Sequence, residues 1–434
     1  MHKRLPLLFR QLMYNLRGGF LVRPLSIALT LGCAGAVLSW LEETTPALSQ
    51  WVPGVIFPSH ADPQIAQIIL GGIAASIMTV VSIVFAILLM TLTLASMQFS
   101  PRIIVSFTRD RVTQWTLGIF LGTFLYCMGA LPAARSLPRP FAPVATVLGA
   151  MLLAIACVGW LLFFIHHISQ AIGVNQIVDR IASETEAVID EMMPRPHSPD
   201  RLSHPDAGLE ASGAVVLNAC SGYIRFLDTK RLIALAKSYH VRIRVLRRVG
   251  QFVPAGVPLV VLSKAGNLSE DAAADFRGTF DLGPSRTLQQ DVEFGVLQIV
   301  DIALKAISPA VNDPTTAISC VDQLSRILIR FASREQPEFL LYDPPGVVRV
   351  SVKWIDFERL LDSAFEQIRM YSKGDVAVSL RLLRALGDIA IGAPARHRGV
   401  LVEVGRRVVA GCGERLAEEE MRRVRSRLAE LEGV

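Results

Sequence analysis

The fold class is decided by residues 65–97, which read IAQIILGGIAASIMTVVSIVFAILLMTLTLASM. This stretch holds no Asp, Glu, Lys or Arg, and an apolar helix needs only about 20 residues to cross a hydrocarbon core of about 30 Å. It is therefore long enough to span a membrane with residues to spare. A helix that exceeds the bilayer thickness must tilt, kink or project beyond the lipid. We expect this helix to project on the cytoplasmic side.

Three further stretches also lack these charged side chains, namely residues 24–40, 115–131 and 142–168. Together with the first stretch they predict four transmembrane helices within a membrane domain of residues 1–168. The composition agrees, because 51% of the residues are hydrophobic and the mean hydropathy of +0.42 exceeds that of an ordinary soluble chain. Most of the charge follows residue 168, which predicts a water-facing C-terminal region.

The charged residues around the first span predict the orientation of the helices. Those before it are all basic: Lys3, Arg4, Arg10, Arg17 and Arg23. Those in the loop after it are all acidic: Glu42, Glu43 and Asp62. Cytoplasmic segments of multi-pass proteins carry an excess of Lys and Arg, so both termini are predicted to be cytoplasmic. Arg135 and Arg139, in the loop before the fourth span, mildly oppose this orientation.

One face of the second span collects small and hydroxylated residues. At 3.6 residues per turn, six of them lie within about a third of the helix circumference: Gly72, Ser76, Thr79, Ser82, Ala86 and Thr93. Such a face lets helices approach closely, which is its commoner use, or it lines a water-accessible path in which hydroxyls replace part of an ion's hydration shell. These six are the candidate pore-lining residues. No charged residue lies in mid-membrane, which disfavours a proton-coupled transporter.

The third and fourth spans carry two further patterns. Gly118-x-x-x-Gly122 is typical of close helix packing, and its simplest interpretation is a contact within one subunit. His166 and His167 end the fourth span. Adjacent residues on a helix point about a hundred degrees apart, so these two do not form the i, i+4 pair of a metal site.

The sequence contains no motif for enzymatic chemistry. Its six cysteines are scattered singly, without the paired spacing of a zinc site or a redox dithiol. A Walker loop, a nucleophile elbow, an HExxH helix and a glycine-rich dinucleotide fingerprint are all missing. We therefore expect no enzymatic activity, no catalytic residue, no metal and no cofactor. The net charge of +6 is better explained by membrane orientation than by nucleic-acid binding.

The C-terminal region is predicted to contain three segments. Residues 169–212 form a cytoplasmic helix and a proline-rich linker, residues 213–285 a small β-rich module, and residues 286–434 a mainly helical domain, with a strand at 347–354. In the module, Arg242 and Arg244 share one face of a strand. This face suits an anion or a lipid headgroup, whereas a solvated edge strand guarded by charge is the commoner explanation.

Two helices are predicted around residue 310. Residues 288–307 show a helical pattern whose polar face carries Asp291, Gln298, Asp301 and Lys305. Asn312-Asp313-Pro314 then starts the next helix. Asp313 is expected to be its N-cap, and Pro314 to take the first-turn position that needs no N–H donor.

Four stretches carry a resemblance to a known family: Ser100-Pro101-Arg102, Arg109-Asp110-Arg111, Phe164-Ile165-His166-His167-Ile168 and, above all, residues 301–317 with SPAVNDPTT at 308–316. Over nearly its whole length the chain resembles the bacterial predicted membrane proteins grouped as domain of unknown function twenty-two fifty-four. The resemblance implies a bacterial inner-membrane protein with four spans. It also implies that Asn312, Asp313, Pro314 and Thr315 are motif positions. It brings no activity and no catalytic residue.

We consider two functions. The first is a homo-oligomeric channel or pore for a small ion in the lipid bilayer, with the second span around a central path and the cytoplasmic region as a vestibule. The alternative is a membrane-anchored scaffold or sensor whose cytoplasmic region binds a partner or ligand. The hypotheses differ at Ser76, Thr79 and Ser82, which would meet water in a pore and stay dry in a scaffold.

Overall fold

A computed structural model describes residues 22–45, 62–98, 111–135, 140–171, 173–193, 213–264, 268–334, 340–343, 347–413 and 415–433. The chain divides into two compact units, Met1–Gly173 and Val174–Val434. Several predicted features lie outside the described residues. They include most of the basic residues before the first span, the proline-rich linker and the family stretch at residues 100–102.

The N-terminal unit contains four helices that are long and apolar enough to cross a membrane. They are α1 (Val22–Thr44), α2 (Pro63–Gln98), α3 (Arg111–Ala130) and α4 (Val144–Ala171), with a 3-10 turn at Leu131–Ala133. Each coincides with one of the uncharged stretches, so the prediction of four spans is confirmed. With 36 residues, α2 is longer than one crossing requires.

Helix α3 lies at the centre of this unit. Its span is 50% buried, whereas the other three spans are 17–22% buried. A buried apolar cluster joins it to α2 and α4, with Val84, Phe120 and Phe164 fully covered. On its other side α3 packs along α1, where glycines on both helices allow close contact.

Two acidic residues connect helices at one end of the N-terminal unit. The Glu42 carboxylate, 1% exposed, accepts hydrogen bonds from Ala145 N at 2.8 Å, Thr146 N at 3.1 Å and Thr146 Oγ1 at 3.0 Å. It therefore caps the first turn of α4, where a negative charge also suits the helix dipole. Its neighbour Glu43 forms an ion pair with Arg135. The Glu43 carboxylate thus balances the charge of Arg135, one of the two basic residues that oppose the predicted orientation.

The C-terminal unit begins with α5 (Val174–Met192) and contains eight more helices among its described residues. They are α6 (Thr229–Ser238), α7 (Glu270–Arg277), α8 (Val292–Ala306), α9 (Pro314–Ala332), α10 (Phe357–Tyr371), α11 (Val376–Gly392), α12 (Arg398–Cys412) and α13 (Glu418–Glu432), with a 3-10 turn at Ala395–His397. Helix α9 packs against α5, α8 and α11. Helix α8 starts later than residue 288, because Asp291 is its N-cap and accepts a hydrogen bond from Phe294 N at 3.1 Å.

The strands of this unit form two sheets. They are β1 (Val215–Leu217), β2 (Gly222–Leu227), β3 (Ile243–Val245), β4 (Phe252–Val253), β5 (Pro258–Leu262), β6 (Phe280–Gly283), β7 (Leu340–Asp343) and β8 (Val347–Ser351). The five-stranded sheet has the order β1-β5-β3-β8-β7, and the three-stranded sheet has the order β4-β2-β6. An apolar core that includes Leu232, Ile243, Val260 and Phe276 fills the space between sheets and helices.

The five-stranded sheet takes two strands from far along the chain. The strand predicted at 347–354 is confirmed as β8, and it pairs in parallel with β3. It therefore completes the sheet of the β-rich module, although two helices separate it from that module in sequence. Since β3 lies in the middle of this sheet, the interpretation of Arg242 and Arg244 as guards of an edge strand is wrong.

Candidate functional site

The small and hydroxylated residues of α2 lie on the side of that helix that faces away from the rest of its unit. We call them the outer face of α2: Gly72, Ser76, Thr79, Ser82, Ala86 and Thr93, all exposed. The residues that α2 buries against α3 and α4 are Ala66, Leu70, Ala74, Ile77 and Val84. At about 100° per residue, the two sets are centred on opposite sides of the helix. Packing within the described part of the chain therefore does not use the outer face.

The hydroxyl groups of the outer face bond to their own helix. Thr79 Oγ1 donates to Ala75 O at 3.1 Å, Ser82 Oγ to Met78 O at 3.0 Å, and Thr93 Oγ1 to Leu89 O at 2.8 Å. Such bonds to the i−4 carbonyl satisfy the hydroxyl proton. The oxygen lone pairs remain available as acceptors for water, a cation or a donor on another helix.

The shape of the outer face permits close approach. A Cβ atom added at Gly72 would meet no atom within 4 Å, and the same holds for the neighbouring Gly71. Four larger residues share this side of the helix, namely Ile65 (49% exposed), Ile68 (72%), Ile83 (53%) and Met90 (65%). The face thus combines small, uncharged and hydroxylated positions with apolar ones, which suits helix contact or partial solvation but not a charge relay.

The glycine pattern of α3, unlike the outer face of α2, lies against another helix of the same chain. A Cβ at Gly118 would lie 2.9 Å from Ile27 Cδ1, and one at Gly122 would overlap the side chain of Leu31. Both glycines therefore allow α3 to pack tightly on α1 within one chain, as the simplest interpretation of the pattern predicts.

The family motif builds the turn between α8 and α9. Asn312 has a φ of 50°, a left-handed conformation that Asn tolerates better than most residues. Asp313 accepts hydrogen bonds from Thr316 N at 3.1 Å and Thr316 Oγ1 at 2.6 Å, and these bonds lower its pKa. Pro314 occupies the first turn of α9. The predicted cap is thus confirmed, and the backbone of the exposed Thr315 beside it also stabilises the Asp313 carboxylate.

Helix α9 also holds α5 through ion pairs that the sequence analysis missed. Arg326 contacts Asp179 at 2.8 Å and Glu186 at 2.5 Å. Arg330, one turn further along α9, and Arg334, just beyond its end, both pair with Asp190. The basic residues recur every four positions, which is a visible signal of a charged helix face. Their partners lie about 140 residues away in sequence, so the pairing itself could not be predicted.

A second missed feature is a buried ion cluster between the β-module and α8. Arg248 Nη2 lies 2.9 Å from Glu293 Oε2, and Arg286 Nη2 lies 3.0 Å from the same oxygen. Arg286 Nε is also 2.7 Å from Asp291 Oδ2. Burial opposes ionisation of Glu293, but the hydrogen bonds from Arg248 and the charges of both guanidinium groups outweigh it and lower its pKa. Burial raises the pKa of Asp291 despite its contacts with Arg286.

A small cavity of about 30 Å³ adjoins this cluster. Its lining includes Met192, Arg248, Asp291, Phe331 and Trp354. Trp354 Nε1 is buried and has no hydrogen-bond partner among the described residues. The volume is close to that of one water molecule, so the cavity is too small for an organic substrate. We interpret the cluster as an anchor for the start of α8.

Metal ligands are not grouped in the described part of the chain, where no set of three His, Cys, Asp or Glu side chains converges. The described cysteines form no disulfide. Arg242 and Arg244 are exposed on β3, far in sequence from the membrane spans. The structure therefore offers two surfaces as candidate sites, the outer face of α2 and the arginine-bearing sheet.

The four apolar helices and the mixed C-terminal unit define a multi-pass membrane protein. The chain belongs to the family described as predicted membrane protein, domain of unknown function 2254, whose model matches residues 17–388. It is 31% identical over 412 residues to an uncharacterised protein of Mycobacterium tuberculosis and, equally, to one of Mycobacterium bovis. Each alignment covers 93% of this chain and 78% of the relative. No solved structure matches.

Proposed function

We propose that this protein is a homo-oligomeric pore for small ions in a bacterial inner membrane, in which copies of α2 meet through their outer faces around a central path. The observation that carries the proposal is the exposure of all six residues of that face. With both termini in the cytoplasm, as the loop charges predict, the C-terminal units would surround the inner mouth of the path. Symmetric rings of identical subunits are the usual way to build such a path.

A comparison with α4 supports this proposal. Helix α4 also has a strongly exposed side, but it presents Leu152, Ile155 and Val158, which are 59%, 68% and 62% exposed. Bulky apolar residues of that kind are the ordinary covering of a helix surface in lipid. The exposed side of α2 places glycine, serine and threonine among its apolar residues. These small and hydroxylated positions favour helix contact and can accept hydrogen bonds from water or replace part of a cation's hydration.

The alternative is a membrane-anchored scaffold or sensor. One observation favours it, since Thr79, Ser82 and Thr93 donate to carbonyls of their own helix and so tolerate a dry environment. Under this alternative the outer face packs against another helix or lipid without water. The C-terminal unit would then carry the function by binding a partner or ligand.

The test is ion flux and single-channel current from the purified protein in liposomes and planar bilayers. The informative variant is Ser76→Leu/Thr79→Leu, which fills the outer face with apolar bulk. Leu152→Ala/Ile155→Ala on α4 is the matched control, because it alters an equally exposed side of another span. We expect conductance from the wild type and the control and none from the α2 variant. A silent wild type under varied voltage, osmotic tension and pH would shift the assignment to a scaffold or sensor.

A further inference from the structure

The five-stranded sheet has one covered and one open face. The buried residues Val216, Ile243, Val245, Val260, Leu262 and Val350 point into the core. The alternate residues point outward and form what we call the open sheet face: Val215 on β1, Val261 on β5, Arg242 and Arg244 on β3, and Arg349 and Ser351 on β8. The register fixes this surface, because Arg244 lies between Val261 and Ser351 on the neighbouring strands.

The charge on the open sheet face is positive and poorly balanced. Arg242 and Arg244 are exposed and form no ion pair with any described residue. One step back in the parallel register, Arg242 comes beside Arg349. Arg349 reaches Asp343 only at 3.7 Å, and Asp343 also pairs with Lys237 at 3.3 Å. Like charges on neighbouring strands destabilise a sheet. An external anionic partner would therefore reduce the repulsion between these arginines, which the described residues only partly neutralise.

A second copy of the chain is a poor occupant for this surface. In a two-fold contact the same patch lies on both subunits, so the arginines of one sheet would meet those of the other. The described helices of the unit do not cover this surface either, because Val215 is 46% exposed. The surface instead places the exposed Val215 and the half-buried Val261 beside arginines. This combination suits a bilayer surface with both apolar and anionic character.

The position of the unit in the chain favours lipid over a soluble anion. Helix α5, the first element of the C-terminal unit, begins three residues after the last residue of α4. The unit is thus tethered close to a bilayer, where the effective concentration of headgroups is high. We infer that the open sheet face binds anionic phospholipid headgroups through Arg242, Arg244 and Arg349. This inference is independent of whether α2 lines a pore.

The experiment uses the full chain in nanodiscs and a nitroxide at the rim of the open sheet face. Val215→Cys is labelled after replacement of Cys33 and Cys220, the exposed cysteines of the described chain. Electron paramagnetic resonance then measures how readily a water-soluble nickel complex reaches the label. The lipid is either neutral phosphatidylcholine or phosphatidylcholine mixed with phosphatidylglycerol. A third sample adds inorganic phosphate to the neutral nanodiscs.

We expect the label to lose accessibility only in the anionic nanodiscs. The loss should reverse in about 1 M NaCl, where the Debye length is only about 3 Å. Arg242→Gln/Arg244→Gln should abolish it, whereas Arg422→Gln/Arg423→Gln should preserve it. The control pair lies on α13, is also exposed and also has no ion pair among the described residues.

Three results would overturn the inference. Equal accessibility in both lipids would show that the surface does not bind anionic headgroups. Equal shielding in both lipids would indicate another occupant, such as a second copy. Shielding by inorganic phosphate in neutral nanodiscs would assign the arginines to a soluble anion. If Arg242→Gln/Arg244→Gln does not fold, the effect of NaCl on label accessibility in the chain that keeps both arginines still decides between these outcomes.

Discussion

The outer face of α2 and the glycine face of α3 have similar sequences and opposite surroundings. Gly118 and Gly122 on α3 are closed by α1, so that added side chains would collide with Ile27 and Leu31. A Cβ added at Gly71 or Gly72 on α2 would meet no described atom within 4 Å. A small-residue pattern therefore indicates that another helix can approach closely, but it does not identify that neighbouring helix. Where the chain supplies no partner, the partner must be lipid, water or another molecule.

The same contrast recurs in the C-terminal unit. Arg326 and Arg330 on α9 and Arg334 just after it all have acidic partners on α5. Arg242 and Arg244 on β3 have none among the described residues. The three partnered arginines hold the unit together, whereas the two unpartnered ones are available for recognition.

The largest effect is expected from Gly35→Val in α1. A Cβ at Gly35 would overlap the backbone carbonyl of Tyr126, which cannot move aside as a flexible side chain would. Forced overpacking of this kind costs about 1 to 3 kcal/mol and occasionally more. Because a backbone group is the obstacle, we expect an effect at the upper end and a large fall in the melting temperature of the purified protein in detergent. The matched change Gly72→Val on α2 has open space around it and should leave that melting temperature nearly unchanged. Equal destabilisation by both changes would contradict the assignment of closed and open faces.

Removing the Glu42 carboxylate should have the next largest effect. Glu42→Ala leaves Ala145 N, Thr146 N and Thr146 Oγ1 without their buried acceptor. The expected loss is about 1 to 3 kcal/mol, measured as a shift of the unfolding transition. The neighbouring change Glu43→Ala breaks a half-exposed pair with Arg135, which is worth at most about 1 kcal/mol. A larger loss from Glu43→Ala than from Glu42→Ala would refute this account of the α4 cap.

The Asp313 cap should contribute a smaller, pH-dependent stabilisation. Asp313→Ala is expected to cost about 0.5 to 2 kcal/mol, as other N-cap substitutions do. The folded pKa of Asp313 is lowered by its hydrogen bonds to Thr316. Its ionised form therefore stabilises the fold above the unfolded pKa of about 3.9, and this contribution is lost as pH falls through the lower folded value.

Chemical denaturation between neutral and acid pH measures whether the stabilisation by Asp313 falls on acidification. The difference in stability between the wild type and Asp313→Asn should shrink as the pH approaches the folded pKa, because Asn retains an acceptor but carries no charge. A difference that grows on acidification would contradict the assignment. If ion flux is lost in an Asp313 variant that is still folded, the motif has a role beyond the cap.

The smallest stability effect is expected on the open side of α2. Ser82→Ala removes a hydroxyl that bonds only to Met78 O of its own helix, so the free energy of unfolding should change by less than about 0.5 kcal/mol. Thermal unfolding in detergent measures this change in stability, and Thr123→Ala is the comparison variant. Thr123 is buried on α3 and contacts Cys157 Sγ at 3.3 Å, so its loss should cost more. A Ser82→Ala variant as unstable as Thr123→Ala would mean that the outer face is covered.

The local features of the fold were predictable because they depend on short-range chemistry. Uncharged length predicts the four spans, and Asp313-Pro314 predicts the start of α9, since a cap needs only residues a few positions apart. The identity of the outer face also follows from helical periodicity. Its exposure does not, because periodicity cannot tell which side of α2 meets α3.

The long-range features were not predictable for the same reason. Parallel pairing of β8 with β3 joins segments about a hundred residues apart, and no local pattern specifies the partner of a strand. The error at Arg242 and Arg244 arose here, because charges on an open sheet face resemble charges on an edge strand. The cluster of Arg248, Arg286 and Glu293 likewise depends on how the module meets α8.

The central claim is that the outer face of α2 meets water inside an assembled membrane protein. The most direct test is the reaction of introduced cysteines with a charged, membrane-impermeant thiol reagent in liposomes. Cys33 and Cys220 are replaced, and the parent chain with its four buried native cysteines gives the background reaction. Thr79→Cys is compared with Ile155→Cys, which is 68% exposed on α4, and with Ile77→Cys, which is 6% exposed on α2. Thiols react as thiolates and are inert in an apolar environment. We predict modification at position 79 alone, whereas protection at all three positions would contradict the claim.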